Sequence, residues 1–222
     1  MDLYLLIFLG ILIIPISAQL YINTNYKKYS NIKNNKNLSG FEVARQILDK
    51  NGLQDIHIIE TTGTLTDHYD PKRKVIRLSH NIFHGTSIAS SAIAAHECGH
   101  AIQDKNKYIF MNIRHFIYPL VNFSSKIAYI ILLIGFLTSI YDMVYLGIFL
   151  TSFGILFQLI TLPVEFNASS NAKNELKSLS ILDKEELYGA EQMLKSAALT
   201  YVAGLVSSIL EILRLILLTI DN

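Results

Sequence analysis

With 222 residues, 51% of them apolar, and a net charge of +1, the chain is too apolar for an ordinary soluble domain of its length. The near-neutral balance gives no case for a nucleic-acid partner. A lone cysteine, Cys98, excludes an intrachain disulfide and suits a reducing compartment. Long apolar runs point to a membrane protein with a modest soluble part.

Leu3 to Leu20 is the first apolar run, about long enough to span the bilayer core. Ser17-Ala18 offers small residues near its end, but the Met1-Asp2 flank has no Lys or Arg. An uncleaved anchor over residues 1–20 is therefore expected rather than a secretory signal. Tyr21 to Leu38, with Lys27, Lys28, Lys33 and Lys36, reads as a solvated connector. Ser39 reads as an N-cap before a helix with Phe41, Val43, Ala44, Ile47 and Leu48 on one face, ended by Asn51-Gly52.

Ile56 to Ile59 is β-like. Leu65–Tyr69 and Lys74–Leu78 flank the turn Asp70-Pro71-Lys72-Arg73 and read as a β-hairpin. A polar segment, Ser79 to Thr86, leads into a helix from about Ser87 to Gln103, rich in small residues. Gly99 in its interior costs about 1 kcal/mol, so a packing reason is expected. Apolar runs follow at Phe116–Ile140 and Val144–Leu162, joined by a turn at Tyr141-Asp142. Pro163 reads as a break before a polar helical segment, within which Asp183 and Glu186 mark a helix start. The last apolar run begins at Ala197.

The expected fold is thus a mainly α membrane protein. About four transmembrane helices carry a small α+β cytoplasmic part with a β-hairpin. Residues 1–20 form the anchor, 21–115 the cytoplasmic part, 116–162 a transmembrane hairpin, 163–196 a second cytoplasmic segment and 197–222 the last transmembrane helix. Of 19 Lys and Arg, 13 lie in residues 21–115 and 4 in residues 163–195; the others are Lys126 and Arg214. By the positive-inside rule both connecting segments face the cytoplasm of a bacterial-type plasma membrane, with both termini outside.

Chemistry concentrates at His96-Glu97-Cys98-Gly99-His100. Residues four apart lie one above the other on a helix, so His96 and His100 can turn two imidazoles to one metal ion, with Glu97 beside them. Cys98 lies on another side of the helix and reads as a buried small residue. A catalytic zinc needs a third protein ligand. The metzincin continuation is absent, because Asn106 stands where a third histidine belongs. His57, His68, His80, His84, His115 and the acidic residues after Pro163 remain open, and Glu165 is best placed among them.

Further stretches carry a resemblance. They are Leu65–Pro71, Val75–Ser79, Ala94–Gln103, Leu162–Ser169 and Ala197–Ala203, in order across nearly the whole chain. Together they resemble the membrane-embedded neutral zinc metallopeptidases of the YugP type. The resemblance implies His96, His100 and Glu165 as ligands of one catalytic Zn2+, and Glu97 as the base that activates water. The chain departs from the family's basic residues at Ser170 and Asn171. Other membrane gluzincins, to which it is also similar, carry an aspartate where Ser169 stands here.

The expected function is a zinc-dependent metalloendopeptidase acting on polypeptides, membrane-associated or misfolded, at the cytoplasmic face of the bilayer. His68, on the hairpin, is a candidate substrate-binding residue, as an oxyanion donor or beside a strand that pairs with substrate. Glu211 and Arg214, three apart in the last apolar run, can pair. The alternative is a catalytically silent, zinc-containing membrane scaffold or regulator.

Overall fold

The structure, a computed structural model, describes residues 3–220. In chain order its elements are α1 (Leu3–Ser30), α2 (Gly40–Lys50), β1 (His57–Thr61), β2 (His68–Asp70), β3 (Val75–Ser79), α3 (His80–Phe83), α4 (Ile88–Lys105), α5 (Ile109–Thr138), α6 (Tyr141–Ser178) and α7 (Lys184–Ile220). The protein is mainly α. Helices α1, α5, α6 and α7 are long and apolar enough to cross a membrane. Two compact units result. One takes the chain up to Gln19, Ile109–Pro163 and the chain from Leu199; the other takes Leu20–Tyr108 and Val164–Ala198.

The second unit is built on α2, the sheet and α4. Ser39 caps α2 by accepting from the Glu42 N–H, while the Ser39 N–H donates back to Glu42 Oε2 at 2.7 Å. This reciprocal box satisfies two amides that the first turn leaves open. Val43, Ala44, Ile47 and Leu48 are fully buried, and Gly52 leaves the helix at φ 67°. The sheet order is β1-β3-β2. β3 runs parallel to β1 and antiparallel to β2, and its Ile76 and Leu78 are fully buried. Each such side chain contributes about 1.5–3 kcal/mol through burial. The expected hairpin is β2–β3. In its turn Asp70 Oδ1 accepts the Lys72 and Arg73 amides.

Helix α4 is buried on most sides, which its alanines permit. Cys98 is fully buried and donates its thiol to Ala44 O across to α2, at 3.6 Å. Burial pushes that thiol's pKa well up, as does the charge on Glu97, so it is held protonated.

Four expectations need correction. The connector after residue 20 is not simply solvated, since α1 continues to Ser30 and seats Tyr29 against Gly189. Asn34, beyond it, is buried; it donates to Leu38 O, Thr86 O and Ser91 Oγ and accepts the Leu38 amide. A polar composition here marks internal hydrogen bonding rather than exposure. The polar segment after Ser79 contains α3, held by buried Ile82. The turn between α5 and α6 falls at Ser139-Ile140, with Ser139 at φ 57°, and Tyr141 already begins α6.

The fourth correction matters most. Pro163 lies inside α6, which runs unbroken through it. A proline removes one helical hydrogen bond, yet packing on either side, at buried Thr161 and Val164, holds the path. Glu165 therefore stands mid-helix rather than in a first turn. The following helix start does form: Asp183 and Glu186 exchange backbone–carboxylate bonds at 2.9 and 2.8 Å before α7.

In the apolar unit, close helix contacts use glycine. A Cβ on Gly135 would meet Val144 at 2.8 Å, and one on Gly147 would meet Leu132 at 2.5 Å. Gln158 donates to Ser208 at 2.8 Å, and Arg214 pairs with Glu211 at 2.6 Å. Phe116, Tyr129 and Leu137 are among many large side chains left bare, as a lipid-facing surface requires.

Candidate active site

The site begins with a missing side chain. A Cβ on Gly99 would lie 2.4 Å from Ala168 O. Only glycine lets α4 and α6 approach this closely, which accounts for its helix-interior cost. Gly99 lies between His96 and His100, and Ala168 lies one turn beyond Glu165. The contact thus faces two histidines with one carboxylate.

His96 Nε2 lies 3.3 Å from Glu165 Oε2, and His100 Nε2 lies 3.6 Å from the same oxygen. The two rings stand edge to face with centroids 4.8 Å apart. Glu165 is 2% exposed. Donor atoms each ~2.1 Å from a tetrahedral zinc ion lie ~3.4 Å from one another. The three side chains therefore fit zinc by donor type and spacing.

The far nitrogens are also engaged. His100 Nδ1 donates to Gln103 Oε1 at 3.0 Å. Gln103 is itself buried, and its Nε2 donates to Val164 O at 2.7 Å and Asn167 Oδ1 at 2.9 Å. Those two acceptors fix the amide's orientation, so its oxygen faces the imidazole. His96 Nδ1 and Ser169 Oγ share a hydrogen bond at 3.3 Å. His100 thus carries Nδ1–H, and both histidines turn Nε2 toward Glu165. Ser169 supplies a hydroxyl where a carboxylate is absent.

Glu97 is 6% exposed. Burial raises its carboxyl pKa; charge on His96 and His100 opposes the rise, and Asp67 and Glu165 add to it. His100 shows the reverse balance: burial lowers its pKa, but the bond to Glu165 and nearby carboxylate charge more than restore it. Asp67 accepts the Ser79 amide at 2.7 Å and hydroxyl at 3.1 Å, and burial raises its pKa too. Tyr69 donates to Asp104 Oδ2 at 2.7 Å, fastening β2 to the end of α4.

The chain matches, over residues 4–220, the family described as "Putative neutral zinc metallopeptidase". It belongs to this family. It is 44% identical over 220 residues to the "Putative membrane protease YugP" of Bacillus subtilis (strain 168), with 98% of each chain covered. No solved structure matches it. The chain is thus a member of a zinc metallopeptidase family, is similar to a membrane protease, and carries four helices long and apolar enough to cross a membrane.

Of the residues singled out in this metallopeptidase from sequence, the fold brings His96, His100 and Glu165 into one donor cluster. His68 lies outside that cluster, exposed on β2 with Nδ1 bonded to Thr66 O at 2.8 Å. Gln103 and Asp67 escaped sequence reasoning, and Ser169 entered it only as the place where a related carboxylate is absent. For Gln103 and Ser169 a signal existed: each stands three or four residues after a ligand candidate, where a helix places its next neighbour on the same face.

Proposed function

We propose that His96, His100 and Glu165 hold one zinc ion and that Glu97 is the general base of a gluzincin-type endopeptidase. The observation carrying this reading is the donor spacing of 3.3 and 3.6 Å around a buried Glu165 oxygen, beside a second buried carboxylate. A purely structural metal has no use for that second carboxylate.

Zinc held there supplies Lewis-acid polarisation of the scissile carbonyl and a water acidified toward a pKa of about 7. With a metal bound, Gln103 would hold the proton on His100 Nδ1 and Ser169 would take the one on His96 Nδ1, so that both Nε2 atoms offer lone pairs. Glu97, its pKa raised by burial, is matched to take the proton from the attacking water. It then delivers that proton to the leaving amine nitrogen. His68 stands on β2, which the order β1-β3-β2 makes an edge strand, where an extended substrate can add. We assign His68 to that substrate side.

The catalytic part is read as cytoplasmic, because the polar segments carry 17 of the 19 basic residues. A surface-anchored enzyme of this kind acts on membrane-associated or misfolded polypeptides.

Zinc content and cleavage of an unfolded protein, compared between the wild type and Glu97→Gln, test the mechanism. Equal zinc with cleavage reduced at least ~100-fold is expected. Equal cleavage, untouched by a chelator, contradicts it.

A further inference from the structure

A second pair of histidines four apart stands at His80 and His84. His80 opens α3 and His84 caps it. Glu60, on β1, reaches both: its Oε1 lies 2.5 Å from His80 Nδ1 and its Oε2 lies 3.1 Å from His84 Nε2. The rings are 4.8 Å apart, and the three donor atoms all lie within 4.8 Å of one another. Two imidazoles and one carboxylate are again the donor set of a zinc site.

The backbone that carries these donors is fixed by the core. Glu60 pairs in register with Leu78, which is fully buried. Ile82, between the two histidines, is 1% exposed, and Gly40 packs against its carbonyl. The His84 ring rests on Phe83 at 4.8 Å, and Phe83 rests on Phe41 at 5.0 Å. The three side chains themselves are exposed to water. One divalent ion would take lone pairs from both imidazoles and the carboxylate together.

We propose that Glu60, His80 and His84 form a second metal site, taking zinc or another divalent transition metal of similar ligand preference. Imidazole donors disfavour calcium and magnesium. The site is open to solvent, so water completes the coordination and the ion exchanges more readily than one at His96 and His100. A bound ion ties β1 to the segment that runs from β3 into α4. Ser79, whose amide and hydroxyl hold Asp67, begins that segment. The assignment stands whether or not the buried cluster is catalytic.

The test is zinc binding by the full-length protein in detergent, dialysed at neutral pH against a series of buffered free-zinc concentrations. Two binding steps are expected. His80→Ala/His84→Ala removes the weaker step and keeps the tighter one. Glu60→Gln, which keeps side-chain shape, shifts the weaker step by at least ~10-fold. In the wild type, zinc protects His80 and His84 from diethyl pyrocarbonate, with its midpoint at the weaker step. A single step throughout, a weaker step that survives in both variants, or histidines modified equally with and without zinc would each overturn the site.

Discussion

Two sets of two histidines and one glutamate lie in the same unit of this protein. Each has its histidines four apart, one pair within α4 and the other at the two ends of α3, and its glutamate on another element. In the set at His96, His100 and Glu165 the carboxylate is buried and the histidines are partly so, and both far nitrogens are engaged, by Ser169 and Gln103. The set at Glu60, His80 and His84 is exposed, and its rings lean on Phe83 and on each other. Donor identity is the same; surroundings differ. Burial removes competing water and strengthens every charge interaction, while an engaged Nδ1 fixes the tautomer. The enclosing shell, rather than the ligand set, separates a candidate catalytic centre from a surface one.

The most damaging way to break the comparison is Gly99→Ala. The new methyl would sit 2.4 Å from Ala168 O, so α6 must move off α4 and carry Glu165 with it. The tight zinc step should vanish and the weak step remain. Thermal melts should show a loss of about 1–3 kcal/mol, as overpacking gives. Next comes Gln103→Leu, which keeps bulk but drops the bond to His100 and the two that orient it. A ~10–100-fold weaker tight step is expected by competition with a chelator. Ser169→Ala should have a smaller effect, because the 3.3 Å bond is long.

The smallest effect is a control in the same unit. The Ser39 amide, and then its hydroxyl, hold the exposed Glu42 carboxyl below its ordinary pKa of 4.5. A depressed folded value means stability that is present above the unfolded pKa and lost as pH falls through the folded one. Glu42→Gln should cost about 0.3 kcal/mol at neutral pH and nothing in strong acid, with both zinc steps unchanged. Melts at the two pH values check this.

Much of this was readable in the residues. The 3.6-residue period alone puts His96 and His100 on one face, and apolar run lengths alone mark the helices long enough to span a membrane. Glu165 could be ranked first among third-ligand candidates, though Pro163 suggested a helix start that α6 does not have. What could not be read depends on distant pairing. Glu60 meets His80 and His84 only because β1 lies parallel to β3, a register that no local pattern specifies. Asn34 looked like linker because two of its partners, Thr86 and Ser91, lie 52 and 57 residues further along the chain. The packing reason expected for Gly99 became visible only once Ala168 O was placed beside it.

The central claim is that Glu165 completes the buried centre. Zinc titration of Glu165→Ala against a competing chelator, beside the wild type, tests it most directly. The account predicts loss of the tight step by more than ~100-fold, exceeding what an outer partner costs, with the weak step unmoved. A Glu165→Ala protein that keeps the tight step at wild-type affinity would contradict it.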